Sequence, residues 1–587
     1  MAVVRLTTEQ DAAINYDDNL LLLACPGSGK TRTIVARLVR EIENLRGTPR
    51  AVACITYTNT AVQEIEQRAM ALLAPGDQLH FSVSTIHSFC LNEIFRPFAW
   101  RLPDFKQVCK VLTRDMPAFE AIVSHAAGRI NYHDVTAQDL DAFEALNLDA
   151  EGNLIGVATE NELTASASRY FWQRCEELGY IDFCNIIYKS YCLLRDVPSI
   201  ASSLGARYAW ILVDEFQDTT ELQTEILALI HDQGRSKIFA VGDPAQSIYG
   251  FAGARPELLG PFATQIGART DLSLSGNFRS SPQIIEHAER LFPRRPPMTA
   301  IGKARSYTEA PVFVSTTSTF EAISEHFLPY LADVGIGYGN AIILANVWAV
   351  LVPLSRRLRE YGVPVVGPGA RPYRRSRLFA TLAEQLCGAI MDPQIEGSRQ
   401  LERALFNTIL DATGQSRLDV YSYDGRVILI RLLREARRLS EVSGAVMWLD
   451  AMSIATGEIL VAGELVDRVQ AGLFYASVQE MKADMERQRI DIANLTIEDI
   501  GLFANPRHAL RLATIHYAKG REYGAVALVN LREGALPHVH SRDIEADKRL
   551  FYVGVTRAER VLFYIYERNR WGNPPSRFLG NGGVRVL

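Results

Sequence analysis

The run Ala24-Cys25-Pro26-Gly27-Ser28-Gly29-Lys30-Thr31 carries the residue types that hold a chain of phosphates. Glycine permits the tight turn and lets backbone N–H groups approach an anion closely. Lys30 has the length to reach β- and γ-phosphates, and the Thr31 hydroxyl is suited to Mg²⁺. The first glycine of the usual G-x-x-x-x-G-K-[ST] pattern is Ala24 here. A chance Gly-Lys-Thr in a surface turn is the plain alternative. The apolar run before it and the helical pattern after it favour the phosphate loop. A second run, Ile211-Leu212-Val213-Asp214-Glu215, ends an apolar strand in two carboxylates. Asp214 would hold Mg²⁺ through water, and Glu215 would polarise the attacking water. Alone, this run is equally an acidic strand end facing solvent. Beside the loop, it reads as the hydrolytic pair.

Such residues need strands and helices to bring them together. Short β-type runs followed by helical patterns recur: LLLLACPGSGKTRTIVARLV, AVACITYTNTAVQEIEQRA, WILVDEFQDTTELQTEILAL and KIFAVGDPAQSIYG. This alternation implies an α/β fold with a parallel sheet and crossover helices. The pattern breaks twice, from about Leu91 to Leu204 and from about Leu378 to Ile500, where the chain reads mostly helical. Strand-like runs resume at RLATIHYAKG and AVALVNL. The expected organisation is a first core over 1–90 and 205–270 with an insertion over 91–204. A second core is expected over 271–377 and 501–587, with an insertion over 378–500.

Composition narrows the class. The chain has 587 residues, 48% hydrophobic and 22% charged, which suits a multidomain globular protein. The eight cysteines include no Cys-x-x-Cys pair, which argues against a disulfide framework, zinc finger or iron–sulfur cluster. A reducing cytoplasm is expected. The start MAVVRLTTEQ lacks the basic-then-apolar pattern of a secretory leader. No apolar run reads as long enough to span a membrane, and no membrane partner is expected. The net charge is −5 and the pI about 6.2. Any nucleic acid would therefore have to be held in a local groove, not by a basic coat.

Between and beyond the two nucleotide elements, further runs resemble the UvrD/Rep/PcrA-like helicases of superfamily 1, in that family's order and over nearly the whole chain. Leu6-Thr7-Thr8-Glu9-Gln10 resembles the Q motif, which implies that Gln10 reads the adenine; Arg32 is similar to a residue flanking that base. Ile55-Thr56-Tyr57-Thr58-Asn59 and Thr85-Ile86-His87-Ser88-Phe89 look like motifs Ia and Ib, which line the single-strand path. Val241-Gly242-Asp243-Pro244-Ala245-Gln246-Ser247-Ile248-Tyr249-Gly250 looks like motif III. It implies that Gln246 senses phosphate and that Tyr249 and Phe251 lie toward the bases. Asn277-Phe278-Arg279-Ser280 looks like motif IV, with Phe278 stacking on adenine and Arg279 near the γ-phosphate. Leu344-Ala345-Asn346 and Gly362-Val363-Pro364 resemble the next landmark. The run from Thr514 to Tyr523 looks like motif V, with His516 on DNA and Glu522 near the ribose. Tyr552-Val553-Gly554-Val555-Thr556-Arg557-Ala558 looks like motif VI, with Arg557 as a second arginine finger.

The resemblance implies two RecA-like cores, each interrupted by a helical subdomain, that hydrolyse ATP with Mg²⁺ between them while moving 3′-to-5′ on single-stranded DNA. There are departures. Phe251-Ala252 stands where the family has Trp-Arg, and Tyr517 where it has serine. Phenylalanine still offers a stacking face, but the arginine's phosphate contact is lost. The family's long C-terminal tail is missing and the second insertion is short, which lowers the expected processivity. The run Leu91-Asn92-Glu93-Ile94-Phe95-Arg96-Pro97-Phe98 also resembles the compact subunits of Gabija anti-phage systems, which work beside an OLD-type (TOPRIM) nuclease. That implies a second function: an ATPase that senses DNA ends and regulates the nuclease. Plainer roles stay open at this stage. Tyr57, Phe89, Tyr249 and Phe251 are also candidate core aromatics, and His87 and His516 candidate structural histidines. His538 and His540 lack a third metal ligand and suit a surface turn. The run Arg371 to Arg377 suits either duplex phosphate or a solvated face.

Overall fold

Strands covered on both faces are apolar throughout, not alternating. Ala51–Thr56 and Tyr208–Val213 are buried at every position, and Leu20–Ala24 and Lys237–Gly242 at all but one. In the computed structural model these four join Phe81–Thr85 and Ser273–Leu274 in one six-stranded sheet. Its order is Phe81–Thr85, Ala51–Thr56, Tyr208–Val213, Lys237–Gly242, Leu20–Ala24, Ser273–Leu274, and every pairing is parallel. The structure describes residues 6–102, 110–392, 399–414, 422–441, 444–541, 543–568, 572–580 and 583–587. The leader reading of residues 1–5 lies outside them.

The chain forms two compact units, Met1–Thr308 with Asp543–Thr556, and Glu309–Arg542 with Arg557–Leu587. In the first, the sheet is interrupted between Phe81–Thr85 and Tyr208–Val213 by a helical insertion. Its longer helices are Pro117–Gly128, Glu162–Glu177 and Phe183–Asp196. Phe119, Phe143 and Phe171 pack at its centre, with ring centroids 5.9 and 4.9 Å apart around Phe171. A two-residue parallel pair, Lys110–Val111 with Tyr180–Ile181, joins two of its segments.

The second unit holds a seven-stranded sheet, again wholly parallel. Its order is Val365–Val366, Leu510–Thr514, Ala341–Ala345, Tyr523–Leu528, Ala558–Glu567, Val312–Thr316, Arg585–Val586. The second helical insertion lies between Val366 and Leu510. Both sheets thus have the architecture of RecA-like cores, each opened by a helical subdomain.

Residues 271–308, expected in the second core, belong to the first unit. Ser273–Leu274 extends the first sheet's edge beside Leu20–Ala24, and Cys25 N donates to Leu274 O at 3.0 Å. Among the described residues one helix, Ala445–Ala462, is long and apolar enough by length and composition to cross a membrane, though Asp450 and Glu458 interrupt its apolar run. Trp448, Leu449, Met452 and Leu460 on it are buried in the core of the second insertion. In the run 371–377, Arg374 and Arg375 are exposed, whereas two other arginines are held in ion pairs. Arg371 pairs with Glu384 at 2.6 Å and Arg377 with Asp484 at 2.8 Å, both carboxylates of the insertion.

Candidate functional site

In an open parallel sheet the strands' carboxyl ends share one edge, and ligands bind there. The first sheet places five of the singled-out runs at that edge. The phosphate loop follows Leu20–Ala24, Tyr57 follows Ala51–Thr56, and His87 lies just past Phe81–Thr85. Asp214 follows Tyr208–Val213, and Asp243 follows Lys237–Gly242.

The loop turns through left-handed backbone at Gly27 (φ +69°) and Gly29 (φ +78°) and opens the helix Lys30–Leu45. Its close packing excludes side chains. A Cβ at Gly27 would lie 2.7 Å from Arg279 Cβ, and one at Gly29 would lie 2.9 Å from Gln10 Nε2. Gln10 braces the loop: its Nε2 donates to Ser28 O at 3.1 Å, and its Oε1 accepts from Thr7 N at 3.0 Å. Phe278 N donates to Gly27 O at 2.8 Å, and the Arg32 guanidinium sits 5.8 Å from the Phe278 ring centre. Ala24 ends the strand, Cys25 to Gly29 form the turn, and Thr31 lies in the first helical turn.

Lys30 Nζ donates to Glu215 Oε2 at 3.1 Å. Burial works against the Lys30 ammonium, but Glu215, Asp243 and Asp214 outweigh it and hold its pKa above the ordinary lysine value. Burial, with Glu215 beside it, pushes the Asp214 carboxyl up to about 7. One cation thus faces a group of buried carboxylates at the point where phosphate would arrive.

Gln246 donates from Nε2 to Asp243 Oδ2. Arg279 stands next to the loop, its backbone N donating to Asn277 Oδ1 at 2.8 Å and its guanidinium to Thr556 O at 2.9 Å. Both Phe278 and Arg279 belong to the first unit.

Along the same edge runs a row of rings. Tyr57 and Tyr249 stack with centroids 4.9 Å apart at 18°. Phe251 meets Tyr249 edge-on at 6.0 Å and is 53% exposed. Asn59 is exposed at the start of its helix. His87 meets Phe183 of the insertion edge-on at 5.3 Å, and burial pushes its pKa down to about 4, so the ring is neutral near pH 7. Phe89, by contrast, is a core residue against Tyr208.

In the second unit, His516 and Glu522 flank the loop after the strand Leu510–Thr514, with Glu522 exposed. Tyr517 is exposed and lies under the Arg521 guanidinium at 4.4 Å. Arg557 is buried and donates to Arg521 O at 3.1 Å. His538 and His540 sit in a turn, and no group of metal-binding side chains occurs among the described residues.

Sequence reasoning gave no role to Gln217, Asn277 or Arg294. Gln217 donates to Glu215 and accepts from Asp243 N at 2.8 Å. Asn277 Oδ1 caps Arg279 N and Ser280 N at 2.8 Å each. Arg294 pairs with Asp243. Gln217 and Asn277 stood inside quoted or adjacent motif runs, so a question about what orients each motif side chain would have found them. Arg294 had no local signal.

Comparison with known families agrees with this arrangement. Residues 6–266 match the UvrD/REP helicase N-terminal domain, and residues 468–569 the UvrD-like helicase C-terminal domain. The chain is 24% identical to DNA helicase II of Escherichia coli (strain K12), across 97% of this chain and 86% of that protein. It is 25% identical to the ATP-dependent DNA helicase Rep of Salmonella typhimurium, across 98% and 94%. It is 24% identical to the ATP-dependent DNA helicase PcrA of Staphylococcus aureus, across 98% and 86%.

Proposed function

Because this chain belongs to the UvrD-like helicases of superfamily 1, we propose that it is an ATP-driven motor that moves 3′-to-5′ along single-stranded DNA and opens duplex ahead of it. The observation that carries this reading is the shared edge of the first sheet. A phosphate loop, two carboxylates and a glutamine stand there beside a row of rings, all at the ends of adjacent parallel strands.

Phosphoryl transfer is chiefly positioning and charge stabilisation. Lys30 is held by Glu215 until a phosphate takes the carboxylate's place. Glu215, released from Lys30, can then accept a proton from the attacking water. Gln246, fixed through Asp243, is set to sense the phosphate, and Arg279 stands beside the loop to meet its developing charge. Phe278 and Arg32 supply the faces for the base. The donor set fits Mg²⁺: a buried carboxyl oxygen pair at Asp214, and a hydroxyl at Thr31 in the turn after the loop. When bound, Mg²⁺ would neutralise charge on the β- and γ-phosphates. Glu522, His516 and Arg557 remain assigned by family resemblance, to the ribose, to DNA and to turnover respectively.

On the DNA side, stacking on rings is tolerant of sequence because every base has a face. Tyr57, Tyr249 and Phe251 supply such faces, with Asn59 and His87 beside them. The deciding measurement is ATP turnover by the purified chain with and without single-stranded DNA, followed by unwinding of 3′- and 5′-tailed duplexes. Strong stimulation and opening of the 3′-tailed duplex are expected. Turnover indifferent to DNA would overturn the reading, and opening of the 5′-tailed duplex alone would reverse the polarity.

A further inference from the structure

Asp243 is fully buried, and each of its oxygens is engaged. Oδ2 accepts from Gln246 Nε2, and Oδ1 accepts from Ala245 N at 3.1 Å and from the Arg294 guanidinium. The same terminal nitrogen of Arg294 donates to the Tyr552 hydroxyl at 3.1 Å. Tyr552 lies on the helix Ile544–Val555, which packs within the first unit. The turn that presents Arg294 is itself fixed, because Glu289 accepts from Arg294 N at 2.9 Å and from Met298 N at 2.8 Å.

The same helix grips the segment again. Arg549 Nε donates to Ser247 O at 3.0 Å. The stretch from the buried Asp243 to the stacked Tyr249 is therefore fastened to this helix at both its carboxylate and its middle. At the helix's end, Thr556 O accepts from Arg279. On the other side, Asp243 N leads through Gln217 and Glu215 to Lys30. A continuous polar chain thus runs from the lysine of the phosphate loop to the helix Ile544–Val555, and Arg294 is its link between Asp243 and that helix.

We propose that Arg294 is a positioning residue that transmits the state of the nucleotide site to the helix Ile544–Val555, and so couples ATP turnover to the segment carrying Tyr249. The inference rests on the motor reading above. A planar guanidinium can hold a carboxylate and a hydroxyl in fixed directions, whereas an ammonium is a point charge without that geometry. Arg294 reaches the nucleotide site through Asp243 and is not one of the side chains expected to hold phosphate, base or Mg²⁺, so its loss should largely spare ATP affinity and strike coupled turnover.

The test compares wild type, Arg294→Lys and Tyr552→Phe in ATP binding and in turnover with and without single-stranded DNA. Tyr552→Phe removes only the hydroxyl and keeps the ring against Phe292, 5.2 Å away. It therefore stays informative if Arg294→Lys folds poorly. The expected result is ATP affinity within about threefold of wild type and a fall of about tenfold or more in DNA-stimulated kcat for Arg294→Lys, with a smaller fall for Tyr552→Phe. The double variant should lose little more than Arg294→Lys alone, because both act through one link. Stimulated wild type with both variants fully stimulated overturns this inference alone. Equal losses of affinity and kcat also overturn it, since a merely structural role would give that. Wild type that DNA does not stimulate overturns the motor reading and this inference together.

Discussion

Lys30 faces Glu215, Asp214 and Asp243, and these neighbours hold it charged. Lys30→Ala is expected to abolish turnover, because the loop offers phosphate no other cationic side chain. A rate assay at saturating ATP checks it, and persistent turnover would remove the site assignment. His87 gives a prediction about stability. Its folded pKa is about 4 against an ordinary 6.5, so as pH falls the unfolded chain takes up the proton first. The stability this neutral ring allows near pH 7 is therefore lost progressively from about 6.5 toward about 4. Denaturant melts across that window should fall less steeply for His87→Gln than for wild type. At this scale the sequence was readable where chemistry is contiguous. The loop and Asp214-Glu215 announced themselves by type and spacing. Arg294 could not, because its partner Asp243 lies 51 residues earlier and only the fold joins them. Gln10, expected to read the adenine, also braces the loop through Ser28 O and Thr7 N, which its spacing did not announce.

At the scale of elements, the strands were the clearest signal, since wholly apolar runs ended by polar turns have few other uses. The helical insertions were legible as breaks in that rhythm. Less legible was the short edge strand Ser273–Leu274, whose two residues carry no periodicity and which pairs with the first sheet beside Leu20–Ala24. The helix Ala445–Ala462 shows how a buried core helix can reach membrane-like mean hydropathy although Asp450 and Glu458 interrupt its apolar run. A close approach of backbones supports the nucleotide site. A Cβ at Gly302 would fall 1.7 Å from Phe278 O, so only glycine lets that segment lie over the residue expected to stack on adenine. Gly302→Ala should displace Phe278 and weaken ATP binding severalfold, at a stability cost of about 1–3 kcal/mol. Titration with a fluorescent ATP analogue and a thermal melt would check both. Unchanged affinity would mean that Phe278 does not touch the base.

At the scale of the whole molecule, a net charge of −5 limits how DNA can be held. Rings carry much of the proposed contact, and the two arginines of the run 371–377 with the shortest ion pairs are turned to carboxylates of their own insertion. Binding of a short single strand should therefore depend weakly on salt. Engaging about four phosphates or fewer would give a slope of log affinity against log salt shallower than about −3. A steep slope would point to a basic track elsewhere on the chain. The path of the chain has a further consequence, for synthesis. The first unit is closed by Asp543–Thr556, which follows an excursion of the chain through Glu309–Arg542. At ordinary translation rates those residues take roughly ten to fifty seconds to make. Through that interval the nascent first unit must keep its finished sheet folded while Arg294 and Ser247 wait for Tyr552 and Arg549 to leave the ribosome. The newborn protein therefore owns its phosphate loop well before it owns the last helix of that unit.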